Sequence, residues 1–283
     1  MNHRSLFNLT IQLVAYACVV TLASCAPTLP AQDSSARMGA ASDTSGGYLS
    51  KDAAPDSLVL LPPPPPAGSS ALALDEEVHK NAAALRDTPR YKLAALDAEL
   101  VFPRAADAFA CTLGAPIDEQ NTPRLYRILQ RTLLDSAATT SGAKNRYMRT
   151  RPFAAREEPS CVARDEERLR KNGSYPSGHA TLGWAWALIL AEVDPAHADA
   201  IIARGRSYGE SRLVCNVHWQ SDIVEGRFLG AAVVSRLHGV TAFREDVEAA
   251  RQELAAARAK NLAPGRDCAW EAQALTQKIP GVL

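Results

Sequence analysis

The chain has 283 residues, of which 47% are hydrophobic and 22% are charged, and its formal net charge is zero. This length and composition predict a globular protein with a sizeable core, and one domain is the default expectation. A balanced charge offers no basic face to nucleic acid, so we expect no nucleic-acid partner.

Residues 1–24 have the pattern of an export signal. Arg4 supplies a positive charge, and the apolar run that follows is well short of the roughly 20 residues that span a bilayer. The run ends in Leu-Ala-Ser-Cys at 22–25, which resembles the lipobox of bacterial lipoproteins. That resemblance implies cleavage before Cys25, lipidation of Cys25, and a membrane-tethered protein in the periplasm of a Gram-negative bacterium. A simple secretory signal is the alternative.

Residues 25–70 are expected to form a tether. They are rich in Ala, Ser, Asp, Gly and Pro, and 62–66 are five consecutive prolines. Such a run favours polyproline II and cannot join a helix or a central strand. We interpret the segment as a spacer ending in a stiff arm that lies on the body. A leader without function is the alternative.

Residues 71–283 are predicted to form a single catalytic domain of the all-α class. Thr88-Pro89 and Thr122-Pro123 each match an N-cap followed by proline at the first helical position. The segment 179–192 is apolar nearly all round, which predicts a central buried helix. Further helices are predicted at 195–212, 219–238 and 241–260. Alternating strand patterns are absent from the sequence.

Four cysteines remain after Cys18 leaves with the signal and Cys25 is lipidated. An even number in an oxidising compartment predicts two disulfides, with three connectivities open. We favour Cys161–Cys215 with Cys111–Cys268, because the first pair would join the loop after Arg151 to the segment before His218. Buried free thiols are the alternative. The Cys and His spacings do not match a zinc site, so no metal is expected.

Three separated segments contain the groups that phosphoryl transfer through a phosphohistidine requires. Cations must hold the phosphate oxygens, one imidazole must attack, a second must donate a proton, and a carboxylate must orient the attacker. The segments are 144–152, 176–179 and 211–222.

The third segment holds the candidate nucleophile. His218 and Asp222 are four residues apart at the head of a helical stretch, so their side chains share a face. Asp222 could accept a hydrogen bond from one ring nitrogen and leave the other nitrogen to attack phosphorus. Taken alone, such a pair is usually a surface contact; the other two segments favour the catalytic interpretation.

The second segment precedes the predicted apolar helix. The backbone amides of Ser177 and Gly178 would point outward at the helix N-terminus, which favours an anion, and the Ser177 hydroxyl would add a donor. His179 would then be the general acid that protonates the leaving alcohol. An ordinary serine N-cap beside a satisfied histidine is the alternative.

Lys144, Arg151 and Arg212 are predicted to supply fixed positive charge, because guanidinium forks and ammonium groups match phosphate oxygens. The other basic residues near these segments are expected on the solvated surface. They are Arg146, Arg149, Arg156, Arg164, Arg168, Arg170 and Lys171.

Together the segments read K-x6-R-P, P-S-G-H and S-R-x5-H-x3-D. This resembles the superfamily of type 2 phosphatidic acid phosphatases, class A non-specific acid phosphatases and vanadium haloperoxidases. The run at 171–179 resembles the bacterial class A acid phosphatases in particular, and the similarity covers roughly residues 58–260. One departure is Ala180, where threonine is usual.

The resemblance implies a helical bundle of the acid phosphatase and vanadium chloroperoxidase type, without cofactor or metal. Members are periplasmic and often oligomeric, so a homo-oligomer and small phosphomonoester substrates are expected; a lipid anchor is less typical of them. It implies His218 as nucleophile, His179 as acid and Asp222 as orienting carboxylate. The implied phosphate ligands are Lys144, Arg151, Ser177, Gly178 and Arg212.

The leading hypothesis is an acid phosphatase that hydrolyses a broad range of phosphate monoesters. A vanadium-dependent haloperoxidase is an alternative, because vanadate fills the same pocket in those relatives. A lipid-headgroup phosphatase is another, although such relatives usually cross the membrane several times and the needed apolar spans are missing here. A non-enzymatic anion-binding lipoprotein would need neither histidine.

Overall fold

Helices provide the regular structure of residues 46–282, the part of the chain that this computed structural model describes. No strand occurs among these residues, which confirms the predicted all-α class. The α-helices of the described residues are α1 Ser57–Leu60, α2 Ser70–Ala83, α3 Pro89–Leu96, α4 Ala110–Leu113, α5 Pro123–Tyr147, α6 Pro152–Ala155, α7 Glu166–Arg170, α8 Gly178–Val193, α9 Ala198–Val214, α10 Gln220–Leu237, α11 Thr241–Ala259 and α12 Cys268–Leu275. The signal segment and Cys25 lie outside the described residues.

Helix α8 is the central element, as its apolar sequence predicts. It packs against α5, α9 and α10, and α11 covers α5 and α8. Trp186 of α8 is fully buried, and its indole N–H donates to the Thr132 hydroxyl of α5 at 3.0 Å. The buried face of α8 therefore holds together the helices whose ends carry the predicted site.

Two glycines allow α10 to lie very close to α8. A Cβ at Gly226 would come within 2.7 Å of the Ser177 carbonyl oxygen, and one at Gly230 within 2.5 Å of the Thr181 carbonyl oxygen. Larger residues at these positions would push the helices apart. The close contact places the N-terminus of α8 beside the first turn of α10.

The two Thr-Pro helix starts differ in detail. Both helices begin at the proline, and the Thr88 hydroxyl caps α3 by accepting from the Tyr91 N–H. Thr122 occupies the predicted N-cap position of α5, but its side chain makes no capping bond there. Its hydroxyl instead accepts from the Asp118 N–H at 3.1 Å and lies 3.1 Å from the Pro116 carbonyl oxygen, because the preceding loop folds back onto it.

The segment before the proline run is anchored to the helical body. The backbone N–H groups of Tyr48 and Leu49 donate to the Asp135 carboxylate of α5, each at 3.0 Å, and the Tyr48 hydroxyl donates to Asp246 of α11 at 2.7 Å. The packed body therefore begins upstream of residue 71, where the composition had placed its start. The proline arm follows this anchor, and the Pro62 carbonyl accepts from the Tyr175 hydroxyl at 2.7 Å.

Two disulfides join distant parts of the chain, Cys111–Cys268 and Cys161–Cys215. This is the pairing favoured from the sequence. Cys215 is the C-cap residue that follows the last residue of α9, and its carbonyl also accepts from the Cys161 N–H at 3.2 Å. The second disulfide thus fixes the short connection between α9 and α10.

Candidate active site

A pocket of about 300 Å³ opens where the ends of α5, α8 and α9 meet the loop before α10. Most of the residues singled out in the three sequence segments lie in its wall. They are Lys144, Arg151, Gly178, His179, Arg212 and His218. The fold therefore brings side chains that are up to 74 positions apart into one cavity.

Helix ends and short loops present these side chains. Lys144 comes from the last turn of α5, Arg212 from the last turn of α9, and His179 from the first turn of α8. Arg151 is the residue before α6, and His218 lies in the loop between α9 and α10. This loop is short and stapled by the Cys161–Cys215 disulfide, so Arg212 and His218 are held on the same side of the pocket.

His218 is held in one tautomer by its two neighbours. Its Nε2 lies 3.0 Å from Arg151 Nη1, and its Nδ1 lies 3.2 Å from Asp222 Oδ2. A guanidinium nitrogen can only donate, so Nε2 must be the unprotonated nitrogen and Nδ1 must carry the hydrogen. The lone pair of Nε2 therefore faces the cation-lined side of the site.

The pKa of His218 is lowered well below its usual value by burial and by the nearby charges of Arg151 and Lys144. These effects disfavour the imidazolium form. The free protein consequently keeps His218 neutral at mildly acidic pH, and its Nε2 lone pair accepts from Arg151.

Asp222 is fully buried, and both of its carboxylate oxygens accept hydrogen bonds. Besides His218, its Oδ2 accepts from the Trp219 N–H at 2.8 Å and from the Ser174 hydroxyl. Its Oδ1 accepts from Arg149 Nη1 at 2.7 Å. The surface position predicted for Arg149 is therefore wrong. Its side chain is largely buried because it bridges the carboxylates of Asp222 and Asp75.

Backbone carbonyl groups hold Lys144 and Arg151. Lys144 Nζ donates to the Gly173 carbonyl at 2.8 Å, and Arg151 donates to the Val217 carbonyl at 3.0 Å and to the Asn172 side chain at 3.0 Å. Burial and the charge of Arg151 lower the pKa of Lys144 well below its usual value, and burial and the charge of Arg212 lower that of Arg151 to about 10. Two positive groups are thus fixed in place without a carboxylate partner of their own.

Arg212 carries the least satisfied charge of the site. It is 2% exposed, and its Nε and Nη1 have no hydrogen-bond partner among the described residues. Burial lowers its pKa to about 10. Buried donors without acceptors cost free energy, and an anion in the pocket would supply the missing acceptors.

His179 lines the same pocket as His218. Its Nε2 is 3.1 Å from the Ala98 carbonyl oxygen, which requires a hydrogen on Nε2 and leaves Nδ1 as the nitrogen that can take a second proton. The ring stacks on Tyr208, with centroids 6.1 Å apart. Burial and the charge of Arg212 lower its pKa well below the usual value.

Ser177 is the N-cap of α8. It is fully buried, and its hydroxyl caps α8 by accepting from the Ala180 N–H at 3.2 Å. Its own N–H donates to the Asp222 carbonyl at 2.9 Å, which ties the start of α8 to the first turn of α10. The Gly178 backbone, by contrast, lines the pocket, so the exposed part of this helix start is Gly178 and His179.

Between residues 46 and 282, no helix is long and apolar enough to cross a bilayer. Over the same range, no group of three or more His, Cys, Asp or Glu side chains is placed to hold a metal ion.

Comparison with known proteins agrees with this geometry. The model of the PAP2 superfamily matches residues 126–245, which include the three segments of the site. The chain is 41% identical over 209 residues to a non-specific acid phosphatase of Providencia stuartii, covering 74% of this chain and 84% of that protein. It is 38% identical to an acid phosphatase of Zymomonas mobilis (72% and 77% covered) and 40% identical to a non-specific acid phosphatase of Salmonella typhimurium (65% and 74% covered).

The chain belongs to the non-specific acid phosphatases of the PAP2 superfamily. For this family member, sequence reasoning missed three polar groups that surround the His218–Asp222 pair. They are Asp75, Arg149 and Ser174. Arg149 lies two residues before Arg151, and Ser174 two residues before the P-S-G-H segment, so adjacency to the motifs was the available signal. Asp75 gave none.

Proposed function

We propose that this protein hydrolyses a broad range of phosphate monoesters at acidic pH through a covalent phosphohistidine on His218. Its family makes it a phosphoric monoester hydrolase with acid phosphatase activity. The observation that carries the mechanism is the pair of unsatisfied N–H groups on buried Arg212 in a pocket that also contains His179 and His218. A tetrahedral dianion satisfies those donors and lies between the two imidazoles.

In the first step, the lone pair of His218 Nε2 attacks phosphorus while the bond from phosphorus to the leaving oxygen breaks. Protonated His179 donates its proton to that oxygen, so the product leaves as a neutral alcohol. Lys144, Arg151 and Arg212 neutralise the charge that grows on the equatorial phosphate oxygens. Asp222 stabilises the positive ring of His218 through Nδ1.

In the second step, water attacks the phosphohistidine. His179, neutral after the first step, accepts a proton from that water, and the electron pair of the N–P bond returns to Nε2. Inorganic phosphate then leaves, and both histidines have recovered their starting protonation states.

The lowered pKa of both histidines supports an acidic working range. His218 must be neutral to attack, and the surrounding cations keep it neutral below the usual pKa of about 6.5. His179 must be protonated to donate, and its pKa is also lowered in the free protein. A bound phosphate dianion opposes that effect, because a nearby negative charge favours the imidazolium form.

The pocket wall beyond the cations supports a broad substrate range. It is made mainly of small and apolar side chains, which contact a leaving group without directional demands. They include Ala98, Leu100, Leu133, Ala137, Val162 and Leu182.

The test uses three histidine variants and a radiolabelled phosphate ester, quenched in alkaline detergent because the N–P bond is labile to acid. His218→Ala is expected to lose turnover and labelling together. His179→Ala is expected to form labelled protein from p-nitrophenyl phosphate, whose leaving group needs no proton, and to fail with glycerol phosphate. His238→Ala, an exposed histidine, serves as the control with wild-type behaviour. Turnover retained by His218→Ala would remove the proposed nucleophile.

We further propose that the protein is periplasmic and tethered through Cys25. The support is the lipobox-like sequence at 22–25 and the proline-rich spacer that follows it. Cells grown with labelled palmitate should yield labelled protein from the wild type and unlabelled protein from Cys25→Ala. Label in the variant would refute Cys25 as the acylation site.

A further inference from the structure

The two oxygens of the Asp222 carboxylate have different partners. Oδ2 accepts from His218, from the Trp219 N–H and from the Ser174 hydroxyl. Oδ1 accepts from Arg149 Nη1 at 2.7 Å, its single side-chain donor among the described residues. Arg149 is therefore the side chain that holds Oδ1, and together with the three donors to Oδ2 it fixes the plane of the carboxylate about its Cβ–Cγ bond.

The other arm of the Arg149 guanidinium is bound by a carboxylate from a distant helix. Arg149 Nη2 donates to Asp75 Oδ2 of α2 at 2.6 Å. Asp75 is 1% exposed, and it also accepts from the Ser221 N–H and the Ser221 hydroxyl, each at 2.7 Å. Asp75 thus holds Arg149 and the first turn of α10 in one arrangement.

The Arg149 guanidinium keeps its charge inside the protein. Burial opposes the charge on Arg149, but Asp222 and Asp75 together raise its pKa above the usual value. The guanidinium also lies over the Trp219 ring, 5.6 Å from its centroid. Two buried carboxylates and one buried guanidinium form a rigid unit, because turning any one of them would leave a charge without its partner.

We infer that Arg149 and Asp75 are positioning residues for the phosphatase reaction, acting on His218 through Asp222. With Oδ1 held by Arg149, Oδ2 must face His218 Nδ1, and the Nε2 lone pair must face phosphorus. Neither residue lines the substrate pocket, so neither contacts the phosphate. The inference rests on the proposed function, in which His218 is the nucleophile.

The first test compares Arg149→Met with Arg149→Lys. Loss of an outer partner that orients a reacting group typically costs about 10–100-fold, and a fall in kcat of that size is expected for Arg149→Met. KM should change little because the phosphate ligands remain. Arg149→Lys keeps the charge and one donor, so it should recover part of the lost rate.

The second test reads the ring directly. NMR of the His218 imidazole should show a strongly deshielded Nδ1–H proton in the wild type, and this resonance should move upfield in Arg149→Met as the hydrogen bond to Asp222 Oδ2 weakens. A purely structural role for Arg149 would lower the unfolding temperature without moving that resonance. The spectrum is recorded well below that temperature for each variant, so the two effects separate.

The third test uses neighbouring residues of α2 as a matched pair. Asp75→Asn removes the charge that holds Arg149 and should lower kcat, though less than Arg149→Met does. Glu76→Gln makes the same kind of change one residue on, where the partner is the exposed Arg156, and should leave kcat unchanged. If Arg149→Met fails to fold, Arg149→Lys and Asp75→Asn still decide the matter.

Wild-type kcat and a wild-type Nδ1–H resonance in Arg149→Met, or in both other variants if that one does not fold, would overturn the inference. Failure of the proposed function gives a different result: the wild type would then form no phosphohistidine, whatever Arg149 does. The labelling experiment on the wild type therefore separates the two outcomes.

Discussion

Arg204 and Arg212 lie eight residues apart on α9, and both are 2% exposed, yet their surroundings are opposite. Arg204 donates to both oxygens of Asp97, at 2.5 and 3.1 Å, and to Glu271 at 3.2 Å. Arg212 leaves Nε and Nη1 without an acceptor. One helix thus carries a neutralised guanidinium in its middle and an unsatisfied one at its end.

The pKa values separate the two residues in the same way. Burial lowers the pKa of each, but Asp97 and Glu271 overcome that effect at Arg204 and raise its pKa. Nothing comparable offsets burial at Arg212, whose pKa falls to about 10. A buried charge that is paired stabilises the fold, whereas one that is left unpaired is available to a ligand.

The largest expected effect is on stability, from Arg204→Met. The substitution leaves Asp97 and Glu271 buried without their main cation, and breaking such a pair typically costs about 3–5 kcal/mol. The free energy of unfolding, measured by urea titration, should fall by that amount. A loss below about 1 kcal/mol, the size expected of an exposed pair, would show that Arg204 is not the centre of a structural network.

The next effect is on catalysis, from Arg212→Met. Loss of one donor to a developing oxyanion typically costs about 2.7–4 kcal/mol, so kcat/KM should fall by roughly 100–1,000-fold. Stability should stay level or rise, because an unpaired buried charge is removed. Inorganic phosphate at about 100 times its Kd should stabilise the wild type by about 2.7 kcal/mol and the variant by much less. A loss of stability equal to that of Arg204→Met would erase the contrast between the two arginines.

A smaller effect is expected on the titration of His218. Arg212 is one of the cations that lower the pKa of this ring, after burial, Arg151 and Lys144. Because the folded pKa lies below the usual value of about 6.5, the wild-type ring should gain its proton only as the pH falls well below that value. The acidic limb of kcat/KM should follow it.

In Arg212→Met the pKa of His218 should move upward, toward the usual value, and in Arg204→Met it should stay where it is. Proton NMR of the free protein measures both without interference from the ionisation of the substrate. An unchanged pKa in Arg212→Met would mean that Arg212 contributes no field at His218.

The helices and the pocket residues could be predicted from the sequence for a physical reason. Apolar periodicity identifies α8 because its burial follows from its own side chains, and the cations and histidines lie inside compact motifs. The contrast between Arg204 and Arg212 was not accessible in this way. Asp97 lies 107 residues before Arg204, and no local pattern says which carboxylate meets which guanidinium.

The same limit explains the error at Arg149 and the missing capping bond at Thr122. Arg149 was assigned to the surface because its partner Asp75 lies 74 residues away, in a segment without a motif. Thr122 fits an N-cap by residue type, but its hydroxyl is taken by the loop at 116–118. Residue type predicts which contacts a side chain can make, and tertiary structure decides among them.

The smallest effect is expected from Arg206→Ala, a third arginine on the same helix. Arg206 donates to Glu210 one turn on, at 3.0 Å, and its side chain is 42% exposed. Exposed pairs at this spacing contribute about 0.3–0.5 kcal/mol, and salt screens them. The free energy of unfolding should therefore change by no more than that at low salt and not at all in 1 M salt, with kcat unaltered. A change as large as that of Arg204→Met, or a loss of activity, would mean that position on α9, and not the pairing of the charge, decides what an arginine there does.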